Sequence, residues 1–108
     1  MAKTEAPVTG ELYKADGTME VVTPADGKRF TADEQRRFIG GGRETLDLKW
    51  KAESRRRPGG LVRDGWILVV NEDARNYDLP INQKASELWG DAILGNALLC
   101  KRSATVRG

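Results

Sequence analysis

A chain of 108 residues and 11.9 kDa has room for one domain with a single modest core, and its 39% hydrophobic and 31% charged residues are the mixture of a folded globule rather than of a disordered tail. Histidine is absent and Cys100 is the only cysteine, which excludes zinc sites built from His and Cys, Ser-His and Cys-His nucleophile pairs, and any intramolecular disulfide. The formal net charge is only +2, but Lys49, Lys51, Arg55, Arg56, Arg57 and Arg63 against Glu53 make the segment 49–63 +5 and leave the remainder at −3.

The N-terminal stretch "MAKTEAPVTGE" lacks the apolar centre of a signal peptide, and the longest strictly apolar run, Trp66 to Val70, is far too short to cross a bilayer. A cytoplasmic protein is therefore expected. "TGELYKADGTMEVVTPADG" alternates around Leu12 and Met19 to Val22. Asp16-Gly17 tolerates positive φ in its middle, which predicts two antiparallel strands joined by a hairpin turn. Asp26-Gly27 then turns the chain into a helix whose N-cap is Thr31 and whose capping box is completed by Glu34.

Gly40, Gly41 and Gly42 follow that helix instead of preceding one. A phosphate-cradling loop needs its glycines before a helix, where free N–H groups converge on the anion. No Lys-Ser or Lys-Thr pair follows either, so a Walker-type loop is excluded, and the glycines are read as a helix stop leading into a strand. "ETLDLKW" is that strand, with Leu46, Leu48 and Trp50 on one face and Thr45, Asp47 and Lys49 on the other. "RRRPGG" is the clearest loop, because Pro58 cannot join a central ladder.

"GWILVVN" reads as a central strand buried on both faces, and "NEDARNYDLPIN" as a connection. Asn82 caps a second helix, "QKASELW", which packs through Ala85, Leu88 and Trp89 and is stopped by Gly90. "AILGNALLCK" is the last strand, with Gly95 a candidate bulge and Cys100 a small buried residue rather than a reactive thiol. The expected fold is an α+β single domain in the order β-β-α-β-β-α-β, with a mainly antiparallel or mixed sheet and two short helices. The domain is placed at residues 9–102, between a flexible N-terminus, 1–8, and a flexible C-terminus, 103–108.

The run "GELYKADGT", "PADGKRFT", "GGGRETLDL", "LVVNEDARNYDLPINQKASELWG" and "AILGNALLC", about Thr9 to Cys100, resembles a family of small phage- and plasmid-encoded proteins, domain of unknown function 3846. The most specific elements are Asn71-Glu72, Leu79-Pro80-x-Asn82, Ala85 and Gly95-Asn96. The resemblance implies a mobile-element origin and no established activity. "KWKAESRRRPGG" departs from it, being longer and more basic than the family's corresponding segment.

Glu72, Asp73 and Asp78 offer carboxylates for acid-base work or a divalent cation, but a turn after a buried strand collects such residues for its own backbone bonds. Asn71, Glu72 and Asn82 form a candidate ligand pocket. Lys51, Arg55, Arg56, Arg57 and Arg63 form the candidate partner-binding surface, since each guanidinium is a planar fork of donors suited to phosphate or carboxylate. Trp50 and Trp66 flank that segment as stacking surfaces if exposed and as core residues if the strand alternation holds. No catalytic residue, metal or cofactor is expected. Two functions remain: a non-catalytic accessory protein that binds and inhibits a host factor, such as a defence component, or a small nucleic-acid or nucleotide-binding module using the basic loop 49–63.

Overall fold

The computed structural model describes residues 8–48 and 65–105. Among them, five strands form one antiparallel sheet: β1 (Gly10–Tyr13), β2 (Met19–Val22), β3 (Arg43–Asp47), β4 (Trp66–Asn71) and β5 (Ala97–Lys101). Helix α1 (Ala32–Ile39) lies between β2 and β3, and α2 (Gln83–Trp89) between β4 and β5. The class and element order are those expected from the sequence. The spatial order of the strands is β2-β1-β5-β4-β3, which puts the apolar "WILVVN" of β4 between β5 and β3.

Alternation along β4 and β5 divides the core into two layers. Ile67, Val69, Leu98 and Cys100 pack with Leu12, Val22, Phe30 and Ile39 on the α1 side. Leu68, Val70, Ala97 and Leu99 pack with Ala85, Trp89 and Ile93 on the α2 side. A sheet covered on both faces needs central strands apolar at every position, and burial of each such side chain is worth about 1.5–3 kcal/mol. From Ile67 to Asn71 the whole of β4 is buried, as its sequence requires.

The β1–β2 hairpin closes on the expected Asp16-Gly17. Gly17 has φ 95° and donates its N–H to Lys14 O at 3.0 Å, while Lys14 N–H donates to Thr18 O at 2.8 Å. The N-terminus of α1 is a complete capping box. Thr31 Oγ1 accepts from Glu34 N–H, and the Glu34 carboxylate accepts from Thr31 N–H at 2.8 Å and Ala25 N–H at 2.7 Å. Those two backbone donors, Thr31 first, hold the Glu34 carboxyl below its ordinary range by stabilising the charged form. Thr31→Ala is expected to lower unfolding free energy by about 1 kcal/mol, read from urea denaturation followed by circular dichroism.

Three boundaries differ from the sequence reading. The last strand begins at Ala97, because left-handed Gly95 (φ 79°) bends the chain before it instead of bulging within it. Residues 103–105 belong to the folded unit and not to a loose tail: Arg102–Ala104 form a 3-10 turn, Ala104 is buried, and Phe30 N–H donates to Ala104 O at 2.7 Å. The strand after the glycines ends at Asp47, with Leu48 fully buried beyond it. Trp50, Lys49 and the "RRRPGG" loop lie outside the described residues.

Candidate functional site

The three glycines do two different jobs where α1 meets the end of β4. Gly40 is the helix C-cap, left-handed at φ 84°, with its N–H on Arg36 O at 2.7 Å. Gly41 N–H also donates to Arg36 O at 3.1 Å and Gly42 leads directly into β3, so the trio ends the helix and enters the strand as expected, although Gly41 and Gly42 do not share the left-handed conformation. Their missing Cβ atoms make room instead. A Cβ on Gly41 would lie 2.9 Å from Asn71 Nδ2, and one on Gly42 would lie 2.6 Å from Glu72 Oε1. The trio therefore caps a helix and seats the two side chains that end β4.

Asn71, buried, uses its seat to fasten the turn: its Oδ1 accepts from Asp73 N–H at 2.8 Å and its Nδ2 points to Ile39 O at 3.4 Å. Glu72, exposed, lines a cleft of about 380 Å³ between β3, the end of β4 and the loop after α2. The cleft has an apolar floor that includes Leu46, Val70 and Trp89, and a rim carrying Glu44, Glu72, Asp91 and Arg75.

Asn82 belongs to the same expected pocket but not to this cleft. It is fully buried and its amide is spent on the fold: Oδ1 caps α2 through Ala85 N–H, while Nδ2 donates to Tyr13 O and to Gly95 O, both at 2.8 Å. Asn96 plays a comparable part that the sequence did not reveal. Its Oδ1 accepts from Ala15 N–H at 3.0 Å and its Nδ2 donates to Phe38 O at 3.3 Å, tying the hairpin loop to α1.

Glu72, Asp73 and Asp78 do not converge on one point. The stretch from 72 to 78 is a succession of turns, with Asn76 and Tyr77 N–H groups both on Asp73 O and Asp78 at φ 53°. Among the described residues no three His, Cys, Asp or Glu side chains are grouped to hold a metal ion. Cys100 is buried and unpaired, and desolvation pushes its thiol up to about 12, so the nucleophilic thiolate is scarce at neutral pH.

At the opposite end of β4, Trp66 is half-buried, and Lys101 Nζ sits 6.0 Å from the indole centroid. These two residues, with Lys28, line a second hollow of about 320 Å³. Lys51, Arg55, Arg56, Arg57 and Arg63 lie outside the described residues.

Among the described residues, β3 and β2 are the outer strands of the sheet, and they differ in chemistry. Edge strand β3 carries Arg43, Thr45 and Asp47 on its α1 face, with Asp47 bridged to Arg102. Edge strand β2 carries Met19 and Val21, 47% and 60% exposed, on the other face. Because Lys14 and Thr18 form a hydrogen-bonded pair, the pairs at Leu12–Glu20 and Gly10–Val22 are also bonded, and the N–H and C=O of Met19 and Val21 point away from β1. No helix among the described residues is long and apolar enough to cross a membrane.

The described residues define a small α+β domain with an apolar outer strand, β2, and a cleft at the end of β4. No family model, curated protein or solved structure matches the chain.

Proposed function

We propose that the protein is a non-catalytic accessory protein of a phage or plasmid that binds and inhibits a host protein, such as a defence component, by surface recognition. The observation that carries this reading is edge strand β2. An edge with unpaired backbone groups and exposed apolar side chains is a template for strand addition, and proteins that do not use such an edge blunt it with charge, as β3 is blunted. Here only Glu20, bridged to Lys14 at 3.1 Å, interrupts the apolar side chains of β2. The resemblance of Thr9 to Cys100 to domain of unknown function 3846 supports the mobile-element origin. The basic segment 49–63 supplies long-range attraction to an acidic or phosphate-bearing surface.

The test is affinity capture from host lysate with quantitative mass spectrometry, comparing wild type with Val21→Lys and with the triple reversal of Arg55, Arg56 and Arg57 to Glu. Val21 is exposed, so its variant is expected to keep the wild-type melting temperature while losing at least about tenfold of the captured host protein, the equivalent of about 1.4 kcal/mol. Equal capture by wild type and Val21→Lys would remove β2 from the mechanism. If nothing exceeds the tag-only control while a random oligonucleotide binds wild type but not the triple reversal, and does so less at higher salt, the nucleic-acid reading replaces this one.

A further inference from the structure

Strand β2 holds the triplet Met19-Glu20-Val21, whose pattern of apolar, charged, apolar is the same in either direction. Met19 and Val21 are exposed on one face, and their N–H and C=O groups, turned away from β1, make no hydrogen bond among the described residues. Glu20 stands on the other face with its carboxylate 3.1 Å from Lys14 Nζ, so the one charge of the strand already has a counter-charge in its own chain. At the other end of the strand order, β3 carries Arg43, Glu44 and Asp47, charges that oppose the addition of a further strand.

An antiparallel strand added to such an edge exchanges both backbone hydrogen bonds with each outward-facing residue, and the residues between them face one another without bonds. In that arrangement the triplet is its own complement. With a two-fold axis at Glu20, Met19 lies opposite Val21 of the second copy and Val21 opposite its Met19, which makes two bonded apolar pairs on one face. The two Glu20 side chains meet at the axis on the other face, each held by the Lys14 of its own chain. An axis at Val21 would instead set Met19 opposite Thr23, beyond the end of the strand. We propose that β2 pairs with β2 of a second copy of this chain about a two-fold axis at Glu20, joining two sheets edge to edge. The charged β3 does not offer a second such edge, so the assembly closes at two copies. The dimer shares its edge with the host-binding reading without resting on it, because it is measured on the purified chain with no host protein present.

The experiment is sedimentation equilibrium of the purified full chain over a concentration series, with variants at positions 20 and 21. The mass is expected to rise with concentration from 11.9 kDa toward twice that value and no further. Val21→Lys is expected to stay a single chain across the series, and to melt as wild type does when both are dilute enough to be single chains. Glu20→Gln removes the like charges at the axis and is expected to tighten the dimer about twofold to fivefold. The register is read by oxidation with glutathione disulfide. Glu20→Cys puts two thiols across an unbonded pair with Cα atoms about 4.5 Å apart, within the reach of a disulfide, whereas the thiols of Val21→Cys lie on a diagonal of about 7–8 Å, outside it. Cys100 is buried and does not compete. Glu20→Cys is therefore expected to form the linked dimer well ahead of Val21→Cys. A single chain still at about 1 mM, growth beyond two copies, or a dimer that Val21→Lys retains would overturn the proposal. Linkage through Val21→Cys as fast as through Glu20→Cys, or a dimer that Glu20→Gln does not tighten, would overturn the placement of the axis.

Discussion

Replacing Asn82 with alanine is expected to destabilise the domain by about 3–5 kcal/mol, the sum of a lost helix cap, a lost donor to the buried Gly95 carbonyl and a lost bond to the part-buried Tyr13 carbonyl. One amide joins three distant parts of the chain here: α2 through Ala85, β1 through Tyr13 O, and the approach to β5 through Gly95 O. With the side chain fully buried, those bonds are made out of reach of bulk solvent. Asn82→Asp separates the contributions. It keeps an acceptor for Ala85 N–H but turns a carboxylate oxygen toward two carbonyls, so it should be at least as damaging as alanine. Urea denaturation checks both, and a cost below about 1 kcal/mol for alanine would mean that the residue is a helix cap and nothing more.

The same residue shows what could be read from the chain beforehand. Its capping role was legible because an asparagine just before "QKASELW" finds the N–H donor for its side-chain oxygen three residues away. The two donor bonds were not, since Tyr13 lies 69 residues from Asn82 and nothing local announces the pairing. Gly40 was legible as a helix stop for the same local reason. Gly41 and Gly42 were legible as the path into the strand but not as seats, because what their bareness admits, Asn71 and Glu72, arrives from β4. Alternation made Met19 and Val21 readable as one face of a strand. That this strand is an edge depends on β1 pairing with β5, a contact between the two ends of the described chain.

The cleft is harder still to read, for its walls come from β3, β4 and the loop after α2, and its charges are spread over residues 44, 72, 75 and 91. In the sequence, Glu72 appeared as one of three neighbouring carboxylates in a turn. The fold separates it from Asp73, which serves the turn, and places it instead beside Glu44, 28 positions away on the adjacent strand. Local patterns thus predicted the elements, while partners and sites were set by which elements came to lie side by side.

Phe30→Ala is expected to cost about 3–5 kcal/mol, the range for truncating a fully buried aromatic ring. Phe30 has no exposed surface, and the space it fills is prepared by other residues. A Cβ on Gly10 would lie 3.2 Å from its ring tip and 2.9 Å from Leu98 Cδ1, so β1 passes over the ring only because position 10 is glycine. The ring meets Phe38 edge to face, with centroids 5.9 Å apart, which locks α1 onto the same layer. Its backbone N–H holds Ala104 O, so the chain after β5 is fastened at the same point. Phe30→Leu should retain most of the buried volume and cost less than alanine, and a double-mutant cycle of Phe30→Leu with Phe38→Leu should show a coupling of about 0.5–1.5 kcal/mol. Additive effects in that cycle would mean that the two rings share a core without supporting each other. A small cost for Phe30→Ala would mean that β1 and α1 close over the gap.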